Sequence, residues 1–127
     1  MKPEFLLYVG TFSNSIVMLS MYLNGTMDLV ATYTGKEVLN PTWLSINKNR
    51  THLYANRESS DPAEVASYRI DEVNRSQLTL VNNLDIKSNG PCHIQLLDHT
   101  IITSDYNSGY IYIYIYIYIY IDYFFIV

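Results

Sequence analysis

Apolar and polar residues follow one another along most of this chain in short alternating runs, too brief for helices and broken by Gly, Pro, Asn, Asp and Ser. The runs predict strands at Phe5 to Thr11, Ile16 to Leu23, Met27 to Thr34, Thr42 to Ile46, His52 to Asn56, Val65 to Ile70, Gln77 to Asn83, Cys92 to Leu96 and Thr100 to Ser104. Tyr68 and Ile70 share one strand face and Ser67 and Arg69 the other, the period of two expected of a half-buried strand. Asn24-Gly25 between two runs is a hairpin signal. Asn47 to Arg50 forms a second turn, and Asp71 to Ser76 a longer polar connection. Short strands at intervals of roughly 8–12 residues predict an all-β sandwich, barrel or propeller.

An internal repeat chooses among these. Asn40-Pro41-Thr42-Trp43-Leu44 and Gly90-Pro91-Cys92-His93-Ile94 begin at positions 40 and 90. Each precedes a short strand, a polar turn and a second strand. A period near 50 residues with four strands per unit predicts propeller blades.

The pattern changes at Tyr110, where six Tyr-Ile pairs run from Tyr110-Ile111 to Tyr120-Ile121. Neighbouring strands of a packed sheet face different surroundings, so packing does not ask for such regularity. Alternating T and A bases translate as TAT-ATA, which is Tyr-Ile, and stay open in any forward frame. The tail is therefore read as a translated dinucleotide repeat that interrupts a longer protein. Residues 1–109 are expected to form a partial propeller and residues 110–127 a low-complexity tail. Tyr110 to Tyr114 suit a further blade strand. Beyond them an uncharged β-prone stretch is an aggregation hazard, with Tyr on one face and Ile on the other. Too few apolar residues precede Asp122 for a membrane span, which takes about 20.

Charge and cysteine content narrow the function classes. Lys and Arg number 8 against 12 Asp and Glu. That balance offers no basic patch for nucleic acid and no polybasic anchor for a membrane. The single cysteine, Cys92, excludes an internal disulfide and a cysteine zinc cluster, and predicts a reduced, cytoplasmic setting. Lys2-Pro3-Glu4 and the short run Phe5 to Val9 do not make a signal peptide. His52, His93 and His99 lack paired metal-ligand spacing, and no G-x-S-x-G nucleophile elbow occurs, so no metal is expected.

Several segments resemble those of one family. Tyr8-Val9-Gly10-Thr11-Phe12 resembles Y-V-G-T-Y/F, and Asn40 to Ile46 resembles N-P-S-F/Y-L-A-I. His52 to Glu58 resembles F-L-Y-A-V-N-E, and Val65 to Asp71 resembles V-S-A-Y-R-I-D. Gly90 to Ile94 resembles G-x-P-C-H-V/I, and Ser104 to Gly109 resembles A-N-Y-G-S-G. In this order and spacing they are similar to the opening of the seven-bladed propeller lactonases of the 6-phosphogluconolactonase type. Departures are local: Arg57 stands where the family has Asn, Ile16 to Leu19 replaces G-I-Y, and Asp98-His99-Thr100 shortens a turn.

The resemblance implies an all-β fragment of a seven-bladed β-propeller, carrying about two blades and an N-terminal strand. It implies hydrolysis of a sugar δ-lactone, without a cofactor, in carbohydrate metabolism of the pentose phosphate type. Such hydrolysis needs activated water, a stabilised oxyanion and a protonated leaving group. His93 is the candidate base toward water, and Glu58 the carboxylate that orients it or polarises the water. Arg57 is the candidate clamp for a phosphate, against a surface-loop role. Asp105 and Asn107 are candidates for sugar hydroxyls, against plain turn formation. Trp43 is expected in blade packing and Cys92 as a small buried hydrophobe. Two alternatives stay open: a muconate-cyclising relative, and a non-enzymatic propeller fragment or binding module. With most blades missing, the 127-residue chain is expected to lack activity and to self-associate through exposed edges and the tail.

Overall fold

Eleven β-strands make up the regular structure of the computed structural model, which describes residues 2–59, 62–117 and 120–126, with side chains through Ile113. No helix occurs among the described residues. Sheet 1 contains β1 (Phe5–Val9), β2 (Ile16–Met21) and β3 (Met27–Tyr33). Sheet 2 contains β4 (Leu44–Ile46), β5 (His52–Arg57), β6 (Glu64–Ile70) and β7 (Leu78–Asp85). Sheet 3 contains β8 (Pro91–Leu97), β9 (Thr100–Asp105), β10 (Ile111–Ile117) and β11 (Tyr120–Ile126). Every pairing is antiparallel between sequence neighbours. Each sheet is thus a meander, and the two four-stranded ones have the strand number of a propeller blade.

The repeat seen in the sequence becomes a stack. Sheet 2 lies between the other two and buries both faces. Leu53, Ala55, Ala66, Tyr68 and Ile70 pack with Ile16, Met18, Tyr8 and Tyr33 of sheet 1. Tyr54 and Val65 pack with Ile94, Ile101 and Tyr112 of sheet 3. Successive residues of a strand point to opposite faces. Leu53 through Asn56 are therefore buried without a break. The half-buried pattern expected for β6 is corrected for the same reason: Ser67 is wholly buried on the face opposite Tyr68, and only Arg69 is exposed there.

All nine expected strands form, with ends shifted by one to three residues. Thr42 and Trp43 fall outside β4 because the Trp43 N–H is taken by the Asn56 side chain instead of the ladder. The N-terminal part is larger than the single strand expected ahead of two blades, since β1, β2 and β3 form a sheet of their own. The Tyr-Ile segment continues sheet 3. Ile111 to Ile115 pair with β9, and β11 pairs with β10 across a bulge at Ile115/Tyr116. Tyr112 faces sheet 2, buried, while Ile111 and Ile113 take the other face. The rest of the expected Tyr/Ile alternation lies outside the described side chains.

Candidate functional site at the junction of sheets 2 and 3

The two copies of the repeat, Asn40 to Leu44 and Gly90 to Ile94, lead into β4 and β8, the innermost strands of adjacent sheets. One side chain ties these entries together. Asn56, 2% exposed, sits near the end of β5. Its amide donates to Pro91 O at 2.5 Å and to Thr42 Oγ1 at 3.0 Å, and its carbonyl accepts from Trp43 N at 2.8 Å. A buried amide with both functions engaged is satisfied, and it fixes the groups around it.

The two candidate catalytic residues hang on this link. Thr42 Oγ1 donates to the Glu58 carboxylate, and the Glu58 backbone donates to Asn40 O at 3.2 Å. From sheet 3, His93 lies against Trp43, with ring centroids 4.3 Å apart and planes tilted by 50°. Trp43 Nε1 and Ser45 Oγ both donate to Ile94 O, at 3.1 and 2.8 Å. Residues leading into and along β4 thereby cap the backbone of β8. The structure brings Glu58 and His93 to one mouth of the junction, connected through Thr42, Asn56, Pro91 and Trp43. Both are half-buried, and Trp43, 40% exposed, offers an apolar ring face beside them.

Asp105 and Asn107 hold the adjoining loop. Asp105 is 4% exposed. One of its carboxylate oxygens accepts from Ser88 Oγ and from Asn89 N at 2.5 Å. The other accepts from Asn107 N at 2.9 Å and Ser108 N at 3.1 Å. Burial pushes this carboxyl up, but the hydrogen bonds from Ser88, Asn89, Ser108 and Asn107 outweigh it and hold it below the usual carboxylate range. Asn107 Nδ2 donates to Asn89 O at 2.6 Å. Gly90 has φ +104°, and a Cβ there would meet Asn107 Nδ2 at 2.8 Å, so only glycine passes beneath that amide. The loop 105–109 is therefore sewn to the segment that leads into Pro91 and His93.

Arg57 stands apart from His93. Its guanidinium lies 3.5 Å from Glu64 on β6 and donates to Lys36 O at 3.2 Å. No group of three His, Cys, Asp or Glu side chains able to hold a metal occurs among the described residues. No helix is long and apolar enough to cross a membrane. A cleft of about 580 Å³ lies elsewhere, between β1 and the Asn47–Arg50 turn, lined by Lys48, Arg50 and Arg75. That turn follows β4, so it sits at the far end of β4 from Thr42. Sequence reasoning missed Asn56 and Thr42. The only signal was a polar residue closing the apolar run Leu53-Tyr54-Ala55.

Antiparallel four-stranded meanders stacked face to face, with polar side chains joining their innermost strands, define part of a β-propeller. The comparisons then fix the family. The family described as "Lactonase, 7-bladed beta-propeller" matches residues 6–116, and the chain belongs to it. The chain is 38% identical over 72 residues to the 6-phosphogluconolactonase of Bacillus subtilis (strain 168), a match covering 55% of this chain and 20% of that protein. It superimposes on a candidate 6-phosphogluconolactonase from Bacteroides uniformis ATCC 8492 with a TM-score of 0.79 and 21% identity, covering 90% of this chain and 34% of that one. A candidate 6-phosphogluconolactonase from Bacteroides fragilis NCTC 9343 gives 0.76 and 23%, covering 85% and 31%. At those identities the two structures share the fold with this chain. The chain thus spans one fifth of the Bacillus relative and about a third of the solved propellers.

Proposed function

We propose that the chain carries one wall of a lactonase site of the 6-phosphogluconolactonase type, hydrolysing a sugar δ-lactone in the cytoplasm as part of pentose phosphate metabolism. The observation that supports this reading is the bridge from Asn56 to Thr42 and to Pro91. It sets a carboxylate and an imidazole from adjacent blades at one mouth of the junction. In this reading His93 takes a proton from the attacking water, and Glu58, oriented by Thr42, polarises that water or steadies the imidazolium. The Trp43 face packs against the sugar ring. Residues 1–109 form the lactonase-type blades, and the segment from 110 supplies outer strands of sheet 3. Asp105 and Asn107 act by holding the Gly90–His93 entry.

A propeller site draws on several blades, and positioning supplies much of catalysis. The 127-residue chain alone is therefore expected to show no δ-lactone turnover above the spontaneous rate. The reading itself is tested by a chimera, in which residues 6–116 replace the corresponding segment of the Bacillus relative. A folded chimera should hydrolyse 6-phosphogluconolactone, and His93→Gln or Glu58→Gln should lower kcat by about 10²–10⁴-fold, the usual worth of general acid–base catalysis. A folded chimera indifferent to both substitutions overturns it.

A further inference from the structure

Sheet 1 buries only one of its faces against sheet 2. The register of its strands shows what the other face presents. Phe5, Met21 and Met27 form one cross-strand row, and Leu7, Leu19 and Leu29 the next. Val9, Val17 and Thr32 form the third. Eight of these nine residues are apolar. Phe5 is 53% exposed, Met27 54% and Leu29 67%. A contiguous apolar face of this kind marks an interaction surface.

At the other end of the stack, sheet 3 also turns one face away from sheet 2. Its rows are Gln95, Ile102 and Ile113, then Ser104 with Ile111, and Leu97 with Thr100. Leu97 is 54% exposed and Ile111 45%. Both uncovered faces are therefore sheet faces of the kind already packed inside the chain, where sheet 1 lies on sheet 2 and sheet 2 on sheet 3. The next contact in that series is sheet 3 on a sheet 1.

We propose that two copies of the 127-residue chain pair head to tail, sheet 1 of each on sheet 3 of the other, closing a ring of six sheets. The occupant is a second copy because continuing the interface already present in the chain requires a sheet-1 face to meet a sheet-3 face. Two copies bring one of each to both junctions. Twice three sheets also falls within the four to eight blades at which propellers close, and a heterologous contact that closes gives a finite assembly rather than a fibre.

The experiment is the mass of the purified chain in solution, by light scattering on a sizing column, for four samples. Wild type should run at twice 14.7 kDa. Leu29→Glu should run as a monomer, and so should Leu97→Glu, each with an unchanged β-sheet circular dichroism spectrum. An equimolar mixture of the two should recover about half of its mass as dimer. In the mixed pair, one junction carries both glutamates and the other is intact. A monomeric wild type, an open series of larger species, or a mixture that stays monomeric while both variants are folded overturns the proposal. Sheet 1 pairing with sheet 1 would leave Leu97→Glu dimeric, and that result also overturns it. Should a variant lose its β spectrum, Leu29→Lys or Leu97→Lys takes its place.

Discussion

Asn56 carries more structure than any other single polar residue described here. It fills two donors and one acceptor on three partners, two in sheet 2 and one in sheet 3. Asn56→Ala leaves the Trp43 N–H and Pro91 O unpaired near the core, at about 1–3 kcal/mol for each buried group stranded. Urea denaturation should show the midpoint falling by that amount, well beyond the effect of Asn82→Ala on the half-buried β7. Asp105 is the second residue with a measurable signature. Its folded carboxyl titrates below the ordinary value of 3.8, through hydrogen bonds that overcome burial. A depressed carboxyl stabilises the fold above its unfolded pKa, and that stabilisation disappears as pH falls through the lower folded value. Asp105→Asn removes that proton linkage. Its stability should fall less steeply than wild type between roughly pH 5 and pH 2, measured by denaturation at successive pH values.

At the scale of elements, the strands were legible and their two-sided burial was not. Period-two runs and the turn residues between them placed all nine expected strands, because both signals are local. The alternation Tyr68/Ile70 against Ser67/Arg69 suggested one wet face for β6. A local pattern does not tell that a neighbouring sheet covers Ser67. The candidate site divides in the same way. His93 and Glu58 lie at matching points of a repeat and could be picked out by it. Asn56 and Thr42 matter only through contacts 14 and 35 residues away in sequence, which no single segment contains. Arg57 looked free to bind a phosphate, yet its register partner across the sheet is Glu64. Gly10 shows how tightly β1 is seated against the entry to β4. A Cβ on Gly10 would lie 2.2 Å from the Pro41 carbonyl oxygen, a backbone atom that cannot swing aside. Gly10→Ala should destabilise by several times what an ordinary surface substitution costs, about 0.5 kcal/mol, with thermal unfolding as the measure.

At the scale of the whole molecule, a central sheet dry on both faces joins two outer sheets that are each dry on one. This arrangement explains why the chain, about a third of a solved propeller in length, superimposes on such propellers over most of its own residues. It also explains why the catalytic reading needs partners: the mouth holding Glu58 and His93 has a wall on one side only. The central claim is that sheets 2 and 3 stack so that the entry to β4 lies against β8. The single tryptophan allows a direct test. Trp43 lies on His93, and a protonated imidazole in contact with an indole quenches its emission by accepting an electron. Tryptophan fluorescence of the wild-type chain, scanned from pH 8 to pH 5 where histidines titrate, should fall as the imidazole charges. His93→Gln should abolish the fall, while His52→Gln and His99→Gln leave it in place. A pH profile unchanged by His93→Gln in a folded chain would contradict the stacking of the two sheets described here.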